Sequence, residues 1–296
     1  MALQTAGSVP DSNRWVPPSG STSAAGAVPA IPAIGRHVDL ASAHARPALL
    51  AVRDWLLVAL AFSSGIYEAI CYLSFGKVFT AFQTGNLVLL GVVAGGTRPP
   101  FGPNPVSVVV SLVAFAVGAW LAMRILKAFN GDEEVDDDDV FQVWPRRVTI
   151  ALGVALALQV GFLAVWMATS PSNKVTYILL GMNALAMGLQ MNAIRSLHVP
   201  AISTTAATAT FISLASGPAT WPHKAASARR LIGVLVSMLA GALVGDWMLG
   251  HAHTYAPILP ALVIAVVIVI ASVVLNQDAS MAARYCPVER LADPAN

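Results

Sequence analysis

Long apolar runs separated by short polar breaks make up most of this chain. Eight runs stand out: Trp55–Gly76, Val78–Ala94, Val106–Lys127, Val148–Thr169, Val175–Arg195, Ile202–Ser216, Leu231–Leu249 and Ile258–Leu275. Six approach the length of about 20 residues that carries a helix across a hydrocarbon core of about 30 Å. Two do not fit a plain span. The second carries Gln83, Thr84, Gly85 and Asn86 in a row, and the sixth reads "ISTTAATATFISLAS". As a helix the sixth would reach only about 22 Å, and its hydroxyls suit a segment facing protein or water better than lipid. Irregular, polar backbone at membrane depth is tolerated where protein buries it or water lines it. The pattern predicts an all-α polytopic membrane protein with six transmembrane spans and two short re-entrant or broken helices.

An internal repeat is visible when the chain is slid by 124 positions. "EAICYLSFGKVFTAFQTGNLVLL" (Glu68–Leu90) falls on "NAIRSLHVPAISTTAATATFISL" (Asn192–Leu214) without a gap. Glu68 meets Asn192, Thr80 meets Thr204 and Thr84 meets Thr208. "GAWLA" (Gly118–Ala122) likewise resembles "GALVG" (Gly241–Gly245). Two membrane repeats follow, residues 50–170 and 172–276, flanked by a disordered N-terminal tail, 1–47, and a C-terminal tail, 277–296.

Charge then selects a topology, because Lys and Arg collect on the cytoplasmic side while Asp and Glu count little. If both short segments dip in and return, only Lys77, Arg98 and Lys174 of the 17 Lys and Arg fall outside. If all eight segments span, Arg124, Lys127, Arg146, Arg147 and Arg195 join Lys77 outside. The first arrangement satisfies the rule. It places both termini in the cytoplasm and, with three spans per half, makes the two repeats inverted. The plasma membrane is the default location.

Composition agrees with this picture. The chain is 56% hydrophobic and only 11% charged, where a soluble domain carries about 25% charge. The tail "VPPSGSTSAAGAVPAIPAIG" lacks the apolar core of a signal peptide. Its Arg14, Arg36 and Arg46 outnumber Asp11 and Asp39, as in a transit peptide, yet no amphipathic Arg-rich helix accompanies them. The acidic stretch 132–139 reads as a solvated loop and lacks the spaced ligands of a calcium loop. Two cysteines far apart, Cys71 and Cys286, support neither a disulfide framework nor a zinc site. No basic patch or finger spacing points to nucleic acid. No hydrolase, metalloprotease or phosphate-loop motif is present, so neither an enzyme nor a cofactor or metal site is expected.

Candidate chemistry concentrates in the two short segments and the helices before them. Glu68 lies within the first span, where a carboxylate costs about 2.5–3.5 kcal/mol by insertion scales and should find a partner inside the bundle. It is a candidate for solute coordination or proton coupling, or for a hydrogen bond between the halves to Asn192. Gln83, Thr84, Gly85 and Asn86, with Gln190, Asn192, Thr204, Thr205 and Thr208, are candidates to line a path; helix–helix adhesion through small and hydroxyl side chains is the other role open to them. Gln159 and Asn183 read as isolated packing bonds. Gly91–Gly95 and Gly241–Gly245 are Gly-x-x-x-Gly pairs that let helices approach closely. His251 and His253 fall on different faces of a helix, Asp246 reads as an interface anchor, and Lys77 as a cation reaching for the surface.

"GIYEAICYLSFGKVFTAFQTGNLVLLG" resembles the signature of the YoaK-like family, which runs Gly-x-x-Asp-Ala and then Phe-x-x-x-x-Thr-Gly-Asn. "AMGLQMNAIRSLHVPAISTTAATATFISLA" resembles that family's Gly-x-Gln and Thr-Thr-x-x-Thr-Gly patterns. The resemblance covers about residues 50–280. It departs at Glu68, where the family has Asp, and at Ala209, where the second motif has Gly. The resemblance implies a multi-span membrane protein and no particular activity. Residue chemistry and repeat together suggest a small-solute transporter or channel, with a non-transporting scaffold or accessory subunit as the alternative. The expected partners are the bilayer and a small molecule or ion, and the pattern is compatible with a homo-oligomer.

Overall fold

The computed structural model describes residues 36–96, 102–128, 143–169, 172–197 and 224–275, with side chains from 47 onward in the first stretch and from 229 in the last. Ile202–Ser216, with Thr204, Thr205 and Thr208, lies outside the described residues, as do the acidic stretch, the C-terminal tail and the first 35 positions. The chain divides into two units, residues 1–42 and 43–296. The architecture below is that of the second.

Every described element is helical: α1 (Arg36–Ser74), α2 (Gln83–Ala94), α3 (Pro105–Ala128), α4 (Arg146–Ala168), α5 (Asn173–Arg195), α6 (Lys224–His251) and α7 (Ile258–Ile270), the last continuing as a π turn over Ala271–Leu275. Among the described residues six helices are long and apolar enough to cross a membrane: Pro47–Ser74, Pro105–Ala128, Arg146–Ala168, Asn173–Arg195, Arg229–His251 and His253–Leu275. The six expected spans are therefore present. One boundary is corrected: α1 begins at Arg36, so the end of the stretch read as tail is helical. A tail composition rich in Ala does not oppose helix, and Pro47 marks where the membrane-length part begins.

Local chemistry sets the ends. Asn104 accepts the Val106 N–H ahead of α3, which opens with Pro105, a residue suited to a first turn. Ser172 accepts the Val175 N–H at the start of α5. At the end of α1 the N–H of Lys77 reaches the carbonyl of Tyr72, and Gly76 (φ 80°) and Lys77 (φ 62°) both take the left-handed conformation. Two such residues in succession turn the chain back along the helix it has just left. Glycine does so at no steric cost, whereas Lys77 costs about 1–2 kcal/mol.

The two least apolar spans are the two most buried. α1 and α5 have 61% of their central windows buried, against 11% for α6. Lipid cannot satisfy Glu68, Asn183 or Gln190, so their helices are driven to the middle. Asn183 reaches Cys71 and Gln190 reaches Ser64, pairs that advance in opposite senses, so α1 and α5 run antiparallel. α1 runs parallel to α6, through Arg230–Asp54, Ser237–Val58 and Gly245–Ile66. α3 runs parallel to α5, through Asn104–Tyr177 and Ala119–Asn192.

Glycine makes both parallel crossings tight. A Cβ on Gly65 would meet the backbone of Met238 and Ala242; one on Gly188 would meet that of Phe115 and Ala119. Gly241 meets Phe62 in the way Gly118 meets Leu185. Each residue of one crossing stands 123 positions from its counterpart in the other, so at this register Glu68 falls on Met191 rather than Asn192. Gly241 and Gly245 thus make the expected close approach. Gly91 does not, having nothing within 4 Å, and Gly95 meets only its own helix.

Candidate functional site

Between α1 and α2, residues 75–82 fold back into the bundle. Phe75 and Lys77 still bond carbonyls of α1, but beyond them the backbone has no helical ladder, and the site consists of the side chains that satisfy it. Glu68, 5% exposed, accepts the Thr80 N–H at 3.0 Å, the Thr80 hydroxyl at 3.0 Å and the Ala81 N–H. Those donors lie two and three positions ahead of Gln83, the first residue of α2, so the carboxylate stands just before that helix's N-terminus, the end whose dipole favours an anion. Thr80 continues the chain of contacts: its hydroxyl accepts from Asn183 at 3.0 Å, and Asn183 also reaches the Cys71 thiol at 3.1 Å. A relay Glu68–Thr80–Asn183 therefore joins α1, the folded-back segment and α5.

A second cluster holds the other side of the turn. The Asn86 amide accepts the Phe79 N–H at 3.0 Å and donates to the Phe79 carbonyl at 2.7 Å. Ser111 of α3 donates to the same carbonyl at 2.6 Å. Gln83 donates to the Thr80 carbonyl at 2.7 Å and to Ser111 at 3.3 Å, and accepts from Asn86 at 2.9 Å. Gly85 leaves room for the Phe79 ring, which a Cβ there would approach to 3.0 Å, and that ring stacks on Tyr72. The polar run Gln83–Asn86 is thus explained: three of its four positions support irregular backbone inside the bundle.

The structure brings together Glu68, Gln83, Gly85 and Asn86. It does not bring Thr84, which faces outward and is exposed. Glu68 does not meet Asn192; that amide donates to the Ala119 carbonyl across the α3–α5 crossing, at 2.7 Å. Gln190 bonds Ser64 at 3.0 Å, at the α1–α5 interface rather than beside α2. Sequence reading missed Thr80 and Ser111 as site members and read Asn183 as an isolated packing bond. The signal for Thr80 was its place in the break itself; Ser111 is one hydroxyl in an apolar run, and nothing marks it.

The surroundings hold further polar atoms. Tyr67 Oη, both amide atoms of Gln159, Asn183 Oδ1 and Gln190 Oε1 are buried and find no partner among the described residues. Tyr67 lies edge-on to Phe162 of α4, 5.8 Å between ring centres, so α4 closes this side of the bundle. Among the described residues no three His, Cys, Asp or Glu stand close enough to hold a metal ion.

Comparison with known proteins places these features. The chain is 33% identical over 165 residues to the UPF0700 transmembrane protein YoaK of Bacillus subtilis (strain 168), an alignment covering 55% of this chain and 66% of that protein. The match thus spans just under two thirds of the relative. No solved structure matches. The model of the family described as "Protein of unknown function (DUF1275)" matches residues 56–270, which hold most of the six-span bundle and the Glu68 clasp, and the chain belongs to that family.

Proposed function

We propose that this protein passes a small solute or ion across the bilayer, with the Glu68 clasp on the folded-back segment as its moving part. The observation that carries the reading is a buried carboxylate holding the N-terminus of a short helix inside the membrane bundle. While Glu68 is ionised it collects the donors of Thr80 and Ala81. Protonation removes the charge those donors and the α2 dipole favour, and the segment is released toward Tyr67 Oη, the Gln159 amide and Asn183 Oδ1, which find no partner among the described residues. Solute passage is then coupled to proton uptake. Half-helix ends aimed at the middle of the membrane are a recurring transporter plan.

Two features support an inverted repeat beneath this mechanism. The helices equivalent by the glycine crossings, α1 and α5, run antiparallel, and the crossings recur at one register. Helix directions also gather Arg53, Lys127, Arg146 and Arg195 at one end, with Lys77 and Lys174 at the other. By the positive-inside rule the first end is cytoplasmic, and both termini belong with it. The plasma membrane remains the default assignment.

One observation favours a second reading. The clasp is well satisfied as it stands; on this reading Glu68 is a permanent cap in a scaffold that moves nothing. The test is the osmotic response of proteoliposomes to a panel of small neutral and ionic osmolytes, with a trapped pH dye. A response with proton movement in the native protein, lost in Glu68→Gln at unchanged fold, supports passage. No response to any osmolyte removes the transport reading and leaves the scaffold.

A further inference from the structure

At the end of the bundle where α1 finishes and α7 begins, the helix ends line a half-open cavity of about 920 Å³. That is within the range of about 300–1,000 Å³ typical of small-molecule sites. It is separate from the Glu68 clasp, and its walls are chemically uneven. Phe75, the first residue past α1, and Trp166 from α4 form one part; Asp246, Trp247 and His251 from α6, with His253 beyond it, form another.

The aromatic walls are braced. His253 stacks on Trp166, with ring centres 4.8 Å apart, and accepts the indole N–H on its carbonyl at 3.2 Å. His251 stacks on Trp247 at 4.9 Å, and its Nδ1 lies 2.9 Å from the Trp247 carbonyl. Rings held in this way are positioned before any ligand arrives. Asp246 supplies the charge. Among the described residues it is exposed, forms no ion pair, and shares the cavity lining with no Lys or Arg. Lys77 and Lys174 stand at the same end of the bundle, outside the lining. An interfacial belt of Trp accounts for aromatic residues at helix ends, but not for a cavity with an unpaired carboxylate beside braced indoles. Phe162 and His253 both stack on Trp166, so the indole face left to a ligand is that of Trp247. An electron-rich face beside one carboxylate, with no Lys or Arg among the described lining residues, selects a cation that carries its own apolar surface.

We propose that this cavity binds a small quaternary-ammonium cation, with Asp246 as counter-ion and Trp247 as aromatic wall. The trimethylammonium group is shared by free solutes such as choline and by the choline headgroup of a lipid, and both could enter at a membrane surface. The inference stands apart from solute passage, since it is read from binding alone.

The test uses the full chain in nanodiscs of phosphatidylglycerol, titrated with choline and followed by tryptophan fluorescence. A saturable signal is expected, diminished in Trp247→Phe. The neutral isostere 3,3-dimethylbutan-1-ol should bind the native protein at least about tenfold more weakly, and Asp246→Asn should weaken choline by a similar factor. The isostere comparison needs no variant, so it holds even if Asp246→Asn folds poorly. Repeating the titration in phosphatidylcholine discs separates the sources: loss of the choline signal there identifies the lipid headgroup as occupant, and an unchanged signal identifies the free cation. Absence of a saturable signal in phosphatidylglycerol overturns the proposal. So does equal binding of the isostere, or full affinity in a folded Asp246→Asn protein.

Discussion

Glu68 offsets its cost in the membrane through the donors it gathers. Hydrogen bonds to a charged group contribute about 1.5–3 kcal/mol each, and Thr80 and Ala81 supply three. Glutamine keeps one acceptor but turns an amide N–H₂ toward donors, so Glu68→Gln should cost about 1–3 kcal/mol and lower the unfolding temperature in detergent without loss of fold. Glu68→Ala leaves all three donors unpaired. It should cost more than Glu68→Gln and yield little monodisperse protein on gel filtration. Equal stability of the two variants would show that the clasp is not what holds the segment. Lys77 offers an opposite case. Its left-handed backbone carries strain that glycine does not, so Lys77→Gly should stabilise by about 0.5–1 kcal/mol, read as a rise in unfolding temperature.

Individual elements show how close helix approach depends on context as well as motif. Gly91 and Gly241 both begin a Gly-x-x-x-Gly pair, yet only Gly241 faces another helix. Gly65, Gly118 and Gly188 belong to no such pair and make equally tight contacts. A methyl-bearing side chain at a crossing has only backbone to displace, so Gly65→Val and Gly188→Val should each cost about 1–3 kcal/mol or more, while Gly91→Val should be neutral. Thermal unfolding of the three purified variants decides this. The glycine spacing was legible in the chain, but the face a helix turns to its neighbour was not. Spans here are apolar almost all round, so periodicity carries little directional signal. The same limit hid Ser111, whose hydroxyl matters only because Phe79 is brought beside it.

For the whole molecule the expected topology gives a direct measurement. In a background with Cys71→Ser and Cys286→Ser, single cysteines at Lys77, Thr84 and Lys174 should react with an impermeant thiol reagent from one side of sealed vesicles. Cysteines at Lys127 and Arg195 should react only from the other side. Labelling of Thr84 from the Lys127 side would mean that α2 crosses the membrane rather than returning, and the topology would need to be redrawn.

What the sequence alone determined is the solvent and the plan. Length of apolar runs fixes the number of spans, and the scarcity of charge makes every polar residue inside them a marked position, because lipid offers no alternative partner. That is why Glu68, Gln83 and Asn86 could be singled out, and why the least apolar spans are central. Tertiary structure decided who bonds whom. Glu68 pairs with Thr80 and Ala81 rather than Asn192, Asn183 joins the relay, and Thr84 faces outward. A hydrogen bond between residues far apart in the chain depends on helix rotation and depth within about an ångström, and those are set by the packing of all the spans at once.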